Sequence, residues 1–156
     1  MMRKAKKQSG FTMIELIIVM VITALVLGGI ISYAGNVYRQ YRMTADQTSM
    51  KADAANIRVL MQSAADEGGK AVLHNDNKGV TFTGKKGTDI FFLRDGAVYL
   101  RHNNTSERKL TGFEVSEAVW TQDKGVLSMD VTFSYNNIQT KKTDYQKVIK
   151  DVYLSK

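Results

Sequence analysis

The chain opens with a short polar, basic stretch and then turns apolar. From Leu16 to Ile31 there is no charge, and Thr23 is the one polar side chain. Widened to Phe11–Ala34, the segment holds a single charge, Glu15. As an α-helix this segment reaches roughly 36 Å at about 1.5 Å per residue, enough to cross a bilayer core of about 30 Å. The pattern therefore predicts a membrane-spanning helix over residues 11–34, preceded by a basic leader over residues 1–10.

Past Gly35 the spacing of apolar residues remains helical. Tyr38, Tyr41, Ala45, Ala52, Ala55 and Val59 form one stripe at 3.6 residues per turn, and Met43, Met50, Ile57, Leu60, Met61 and Ala64 form a second on roughly the opposite side. No glycine or proline interrupts Asn36–Glu67, and Gly68-Gly69 then supplies a C-terminal stop. The expectation is one helix from about Phe11 to Asp66, roughly 80 Å long. Residues 35–67 form its soluble half. Two stripes imply two contacts, one with the chain's own sheet and the other with either a second side of the same domain or neighbouring subunits.

Residues 68–156 read as an antiparallel β domain. Asn75–Lys86 is polar and glycine-bearing, and is expected to be mostly loop around a short apolar patch at Val80-Thr81-Phe82. Ile90–Arg94 and Ala97–Arg101 flank Asp95-Gly96, a two-residue hairpin signal. Asn103–Lys109 is expected to be a polar loop. Phe113–Trp120 and Val126–Tyr135 flank a turn at Thr121–Gly125. In the second of these, Leu127, Met129, Val131, Phe133 and Tyr135 alternate with polar residues, as a sheet with one buried face requires. Asn136–Thr143 is expected as loop and Tyr145–Leu154 as a closing strand. A helix followed by an antiparallel meander makes an α+β architecture with the helix packed on one sheet face.

Charge changes this picture in one respect. The formal net charge is +7, and loss of residues 1–10 removes Arg3, Lys4, Lys6 and Lys7 with no acid, leaving +3. Much of the basic excess is thus a topology signal that places the N-terminus in the cytoplasm and the rest outside, with Arg39 and Arg42 trailing the span. There is no cysteine, so disulfides and thiolate metal sites are excluded.

Glu15 is the anomaly. A carboxylate inside a membrane helix is costly and marks a functional position that calls for a cationic partner. Cleavage after Gly10 would create one, the α-amino group of Phe11. Gly10-Phe11-Thr12-Met13-Ile14-Glu15-Leu16 resembles the prepilin-type processing site of type IV pilins and type II secretion pseudopilins. The resemblance implies a pilin-like fold and a structural, non-enzymatic subunit with no cofactor. It implies that prepilin peptidase cuts between Gly10 and Phe11, that Phe11 is then N-methylated, and that Glu15 pairs with the N-terminal amine of a neighbouring subunit. Leu16, Ile17, Ile18, Val19, Val21, Ile22, Leu25, Val26 and Leu27 would pack first in lipid and then against other subunits in a filament. The implied partners are the peptidase, other pilin subunits, membrane lipid and an assembly platform protein. The implied location is the cell membrane, single-pass, with an external globular domain and a filament at the surface. Many major pilins carry a proline in this helix. This chain has no proline, and Gly28-Gly29 supplies the softness instead; that departure favours a minor pilin or pseudopilin of a pilus, secretion or competence system. The competing reading is a secreted or membrane-anchored surface binding domain whose signal peptide is cleaved after Ala34, at Ser32-Tyr33-Ala34.

No catalytic constellation accompanies these features. His74 and His102 fall in or beside polar stretches with no ligand spacing around them. Asn75-Asp76-Asn77-Lys78-Gly79 resembles a calcium loop but lacks its closing glutamate. Gly84-Lys85-Lys86-Gly87-Thr88 lacks the spacing of a phosphate loop. Lys85, Lys86, Arg101, Arg108, Lys109, Lys141 and Lys142 would bind a DNA backbone if they converged, but few aromatics are interleaved with them. Asn103-Asn104-Thr105 matches a glycosylation sequon.

Overall fold

The structure, a computed structural model, describes residues 12–137 and 142–154. The chain divides into two units, Met1–Tyr41 and Arg42–Lys156. Helix α1 spans Met13–Asp66, beginning in the first unit and ending in the second. It runs unbroken through Gly28, Gly29 and Gly35. It stops where the sequence places the glycine pair. Gly68 takes φ +80°, a left-handed conformation that glycine adopts without Cβ strain, and its N–H donates to Ala65 O at 3.1 Å.

The second unit holds eight strands: β1 (Lys70–Leu73), β2 (Gly79–Gly84), β3 (Gly87–Arg94), β4 (Ala97–His102), β5 (Ser106–Lys109), β6 (Glu114–Asp123), β7 (Val126–Asn137) and β8 (Lys142–Tyr153). They form two antiparallel meanders, β1-β2-β3-β4-β5 and β6-β7-β8, where a single sheet was expected. Turns of the first sheet bond to β6 of the second: Trp120 N–H donates to Asn77 O at 2.9 Å and Val115 N–H to Gly96 O at 2.8 Å. The Asp95-Gly96 hairpin forms as anticipated, with both residues at positive φ.

Three local expectations are corrected. Asn75–Lys86 is not mostly loop, because Val80 and Phe82 are buried and alternate with Thr81 and Thr83, so the segment pairs as β2. Asn103–Lys109 contains β5, exposed at every residue, whose polarity suits an edge strand and hides it from an apolar pattern. The loop expected over Asn136–Thr143 shrinks, since β7 continues to Asn137 and β8 begins at Lys142. Strand β1 was not foreseen.

The core lies between the second half of α1 and the inner faces of both sheets. Met50, Ala54, Ile57, Met61, Ala64 and Ala65 supply the helix side. Val80, Phe82, Phe91 and Val98 face them from the first sheet, and Val115, Trp120, Leu127, Met129, Val131 and Phe133 from the second. Phe82 and Phe91 meet edge to face at 5.8 Å. Trp120, fully buried, donates its indole N–H to Met61 Sδ at 3.4 Å. Polar contacts fix the helix on both flanks. Asp53 Oδ2 accepts Gly112 N–H at 2.7 Å. On the other flank Arg58 Nε donates to Asp151 O at 2.8 Å, and the Gln62 amide both donates to Tyr153 O and accepts Tyr153 N–H.

Candidate functional site

The first turn of α1 is built around two side chains. Thr12 sits just before the helix and Glu15 at its third position, the threonine–glutamate spacing of a capping box. Thr12 N–H donates to Glu15 Oε2 at 2.9 Å, and the Thr12 hydroxyl donates to the same oxygen at 2.8 Å. In return Glu15 N–H donates to Thr12 Oγ1 at 3.4 Å. Two of the amide donors that a helix start leaves unpaired are thereby satisfied, and the carboxylate lies at the positive end of the helix dipole. Both bonds fall on Oε2, which leaves Oε1 open to a further donor among the described residues. Thr12 was missed when the sequence was read for chemistry, although the Thr-x-x-Glu spacing announces it.

The cleavage expected between Gly10 and Phe11, and the methylation of Phe11, fall outside the described residues. The expected packing residues lie inside them. Leu16, Ile17, Ile18, Val19, Val21, Ile22, Leu25, Val26 and Leu27 are all between 51% and 72% accessible. Because four of them are consecutive, they occupy every side of the helix. A helix that is apolar all round has no dry face to give a single sheet and belongs in lipid or among other helices. This part of α1 is also long and apolar enough to cross a membrane. The alternative cut after Ala34 falls within unbroken helix.

The two stripes of the soluble half separate as their spacing suggests. Met50, Ile57, Met61 and Ala64 enter the core, with Met43 and Leu60 partly covered. Tyr38, Tyr41, Ala45, Ala52 and Val59 remain exposed, and Ala55 is half-buried.

The secondary candidates resolve into structural roles. His74 Nε2 meets Thr81 Oγ1 at 2.9 Å. His102, beside a polar stretch in the sequence, ends β4 with Nδ1 2.6 Å from Asp89 Oδ1. Its Nε2 lies 2.8 Å from Asn103 Nδ2, while Asn103 Oδ1 accepts Thr88 N–H, so the sequon asparagine is engaged within the fold. Asp76 Oδ1 accepts Lys78 N–H in an Asx turn, and no group of three metal-ligating side chains occurs among the described residues. The basic residues do not converge as a set: Lys86 pairs with Glu67 at 2.9 Å, Arg101, bonded to Glu107, shares one face of the first sheet with Lys109, and Arg108 lies on the opposite face of β5. Lys141 and the side chain of Lys142 lie outside the described residues.

The family model for the prokaryotic N-terminal methylation motif matches residues 5–31. This motif is the prepilin-type cleavage and methylation signature of type IV pilins and pseudopilins, and its match at the N-terminal segment supports a pilin-like class. No curated protein and no solved structure matches the chain at a significant level.

Proposed function

We propose that the chain is a structural subunit, a minor pilin or pseudopilin, of a type IV pilus, type II secretion or competence filament. The observation that carries the reading is a coincidence of position. The methylation motif at residues 5–31 overlies a helix whose apolar residues are exposed on every side. Such a helix is stable in lipid before assembly and among copies of itself or its relatives afterwards. In this reading prepilin peptidase removes residues 1–10 from a cytoplasmic N-terminus, and Phe11 becomes the methylated first residue. Residues 11–34 hold the subunit in the membrane and then pack in the filament. Residues 35–67 join that segment to the globular domain of residues 68–156.

Glu15 is the register residue. Its Oε2 stays engaged with Thr12, and its Oε1 accepts the charged amine of Phe11 on a neighbouring subunit. The cap keeps the carboxylate hydrogen-bonded in the membrane until that amine arrives, and the new ion pair then rewards one axial position over its neighbours.

N-terminal sequencing and intact mass of the protein from its native host test the processing step. The expected start is N-methylated Phe11. A start at Gly35 overturns the proposal and makes the apolar segment a discarded signal. Gly10→Val is expected to leave the full-length chain in the membrane. Glu15→Ala is expected to be processed normally yet absent from sheared filaments, and its normal incorporation would refute the pairing.

A further inference from the structure

The two sheets turn one face each to the helix and one face each outward, and the outward faces carry opposite charge. On the first sheet the register places Lys70, Arg94, Arg101 and Lys109 on the outer side, against Glu107 and, in the adjoining turn, Asp95 at 3.6 Å from Arg94. Between them lie Ile90 and a stacked Phe92–Tyr99 pair at 5.9 Å. The guanidinium of Arg94 sits 4.8 Å from the Tyr99 centroid and that of Arg101 5.2 Å from the Phe92 centroid. Glu107 bonds both arginines and so helps to hold the two cations over the rings.

The second sheet is the reverse. Its outer strand positions hold Glu114, Glu117, Asp123, Asp130 and Asp151 against Lys147, the one amine at an outer position of these strands among the described residues. Lys147 is already bound to Asp130 at 2.6 Å. Along β8 the same side exposes Tyr145, Ile149 and Tyr153, each about three-fifths accessible (64%, 59% and 62%). Each outer face thus combines apolar side chains with a surplus of one sign of charge, and the signs are complementary.

We propose that the outer face of the five-stranded sheet docks on the outer face of the three-stranded sheet of a second copy of this chain. Like-on-like docking would oppose arginines to lysines or carboxylates to carboxylates, which complementary pairing avoids. The contact joins two different surfaces, so a docked pair keeps one free face of each kind. Such a heterologous contact propagates into an open series and does not close as a dimer. It rests on the reading of the chain as an assembling subunit, and adds a second contact, between globular domains, to that made by the apolar helix.

The test is zero-length carbodiimide coupling, which joins an amine to a carboxylate it touches. Full-length chain in two isotopic forms is mixed in detergent micelles, coupled, digested and read by mass spectrometry. Lys147–Asp130 and Lys86–Glu67, at 2.6 and 2.9 Å within one chain, are the internal controls. The expected result is mixed-isotope coupling of Lys70 or Lys109 to Glu117, Asp123 or Asp151. Lys70→Glu with Lys109→Glu should lower total mixed-isotope coupling about tenfold, and Glu117→Lys with Asp123→Lys in the other copy should restore it. Control coupling without mixed-isotope coupling overturns the proposal. So does mixed-isotope coupling confined to other surfaces, or coupling indifferent to the charge reversals. Filament incorporation is scored separately in the host with wild-type chain and Glu15→Ala, so a failure of sheet docking is distinguished from a failure of helix-driven assembly.

Discussion

Truncation of Met61 asks whether the inner stripe of α1 holds the helix to the sheets. Met61 is fully buried, and its sulfur accepts the indole N–H of Trp120, the chain's single tryptophan. Met61→Ala removes three buried heavy atoms, worth roughly 2 kcal/mol at about 0.8 kcal/mol per methylene-sized group. The indole N–H is left without an acceptor, at a further cost of about 1 kcal/mol. With a residual cavity the total is about 3–4 kcal/mol, inside the range of about 2–5 kcal/mol for buried methionine truncations. Val59, two residues earlier and 62% accessible, is the matched control. Val59→Ala should change stability by under about 0.5 kcal/mol. The assay is urea unfolding of the full chain in detergent micelles, followed by tryptophan fluorescence. Trp120 is buried in the folded state, so its emission should shift to the red as the sheets open. With a slope of about 2 kcal/mol per molar urea, Met61→Ala should lower the midpoint by about 1.5–2 M. A loss below about 1 kcal/mol, or one equal to that of Val59→Ala, would refute the assignment of the two stripes.

Three further outcomes are expected. Thr12→Ala should raise amide exchange at Glu15 and Leu16 in deuterium-exchange measurements, whereas Thr12→Ser should retain protection; equal exchange in all three would dismiss the cap. Gly68→Ala should cost about 1–2 kcal/mol, because φ +80° suits only glycine without strain, and the urea midpoint reads it. The carboxyl of Glu107 is held below the ordinary carboxylate range, first by its hydrogen bond from Arg94 and then by that from Arg101. Its stabilising contribution should therefore be complete above the ordinary range and fade as pH falls through the depressed value. Urea midpoints across the acid range should fall less steeply in Glu107→Gln, and parallel curves would contradict the linkage.

Much of α1 was legible because its signals are local. An uncharged run, two stripes at helical spacing and a terminal glycine pair each report on nearby residues. The Asp95-Gly96 hairpin and the alternation of β7 are local in the same sense. What escaped is what depends on distant partners. Strand β5 is polar at each position and is defined by its ladder to β4. The split into two sheets follows from helix and turn contacts that no window of sequence contains. At the functional end, Gly10, Phe11 and Glu15 stood out through resemblance and charge. Thr12 did not, because a threonine beside a long apolar run draws no notice until its spacing to Glu15 is read as a cap. The opposed outer faces were hidden because strand residues of one sign lie far apart in sequence and meet only through register.

The capping box has a consequence for the order of events at the membrane. Thr12 N–H, Thr12 Oγ1 and Glu15 all lie on the C-terminal side of the Gly10–Phe11 bond. Scission there would not disturb the closure of the helix, and no refolding step would separate precursor from product. In the proposed route the cut would change the charge at the chain's end and leave the rod behind it as it was, so a freshly processed subunit would be competent for assembly from the moment its leader departs.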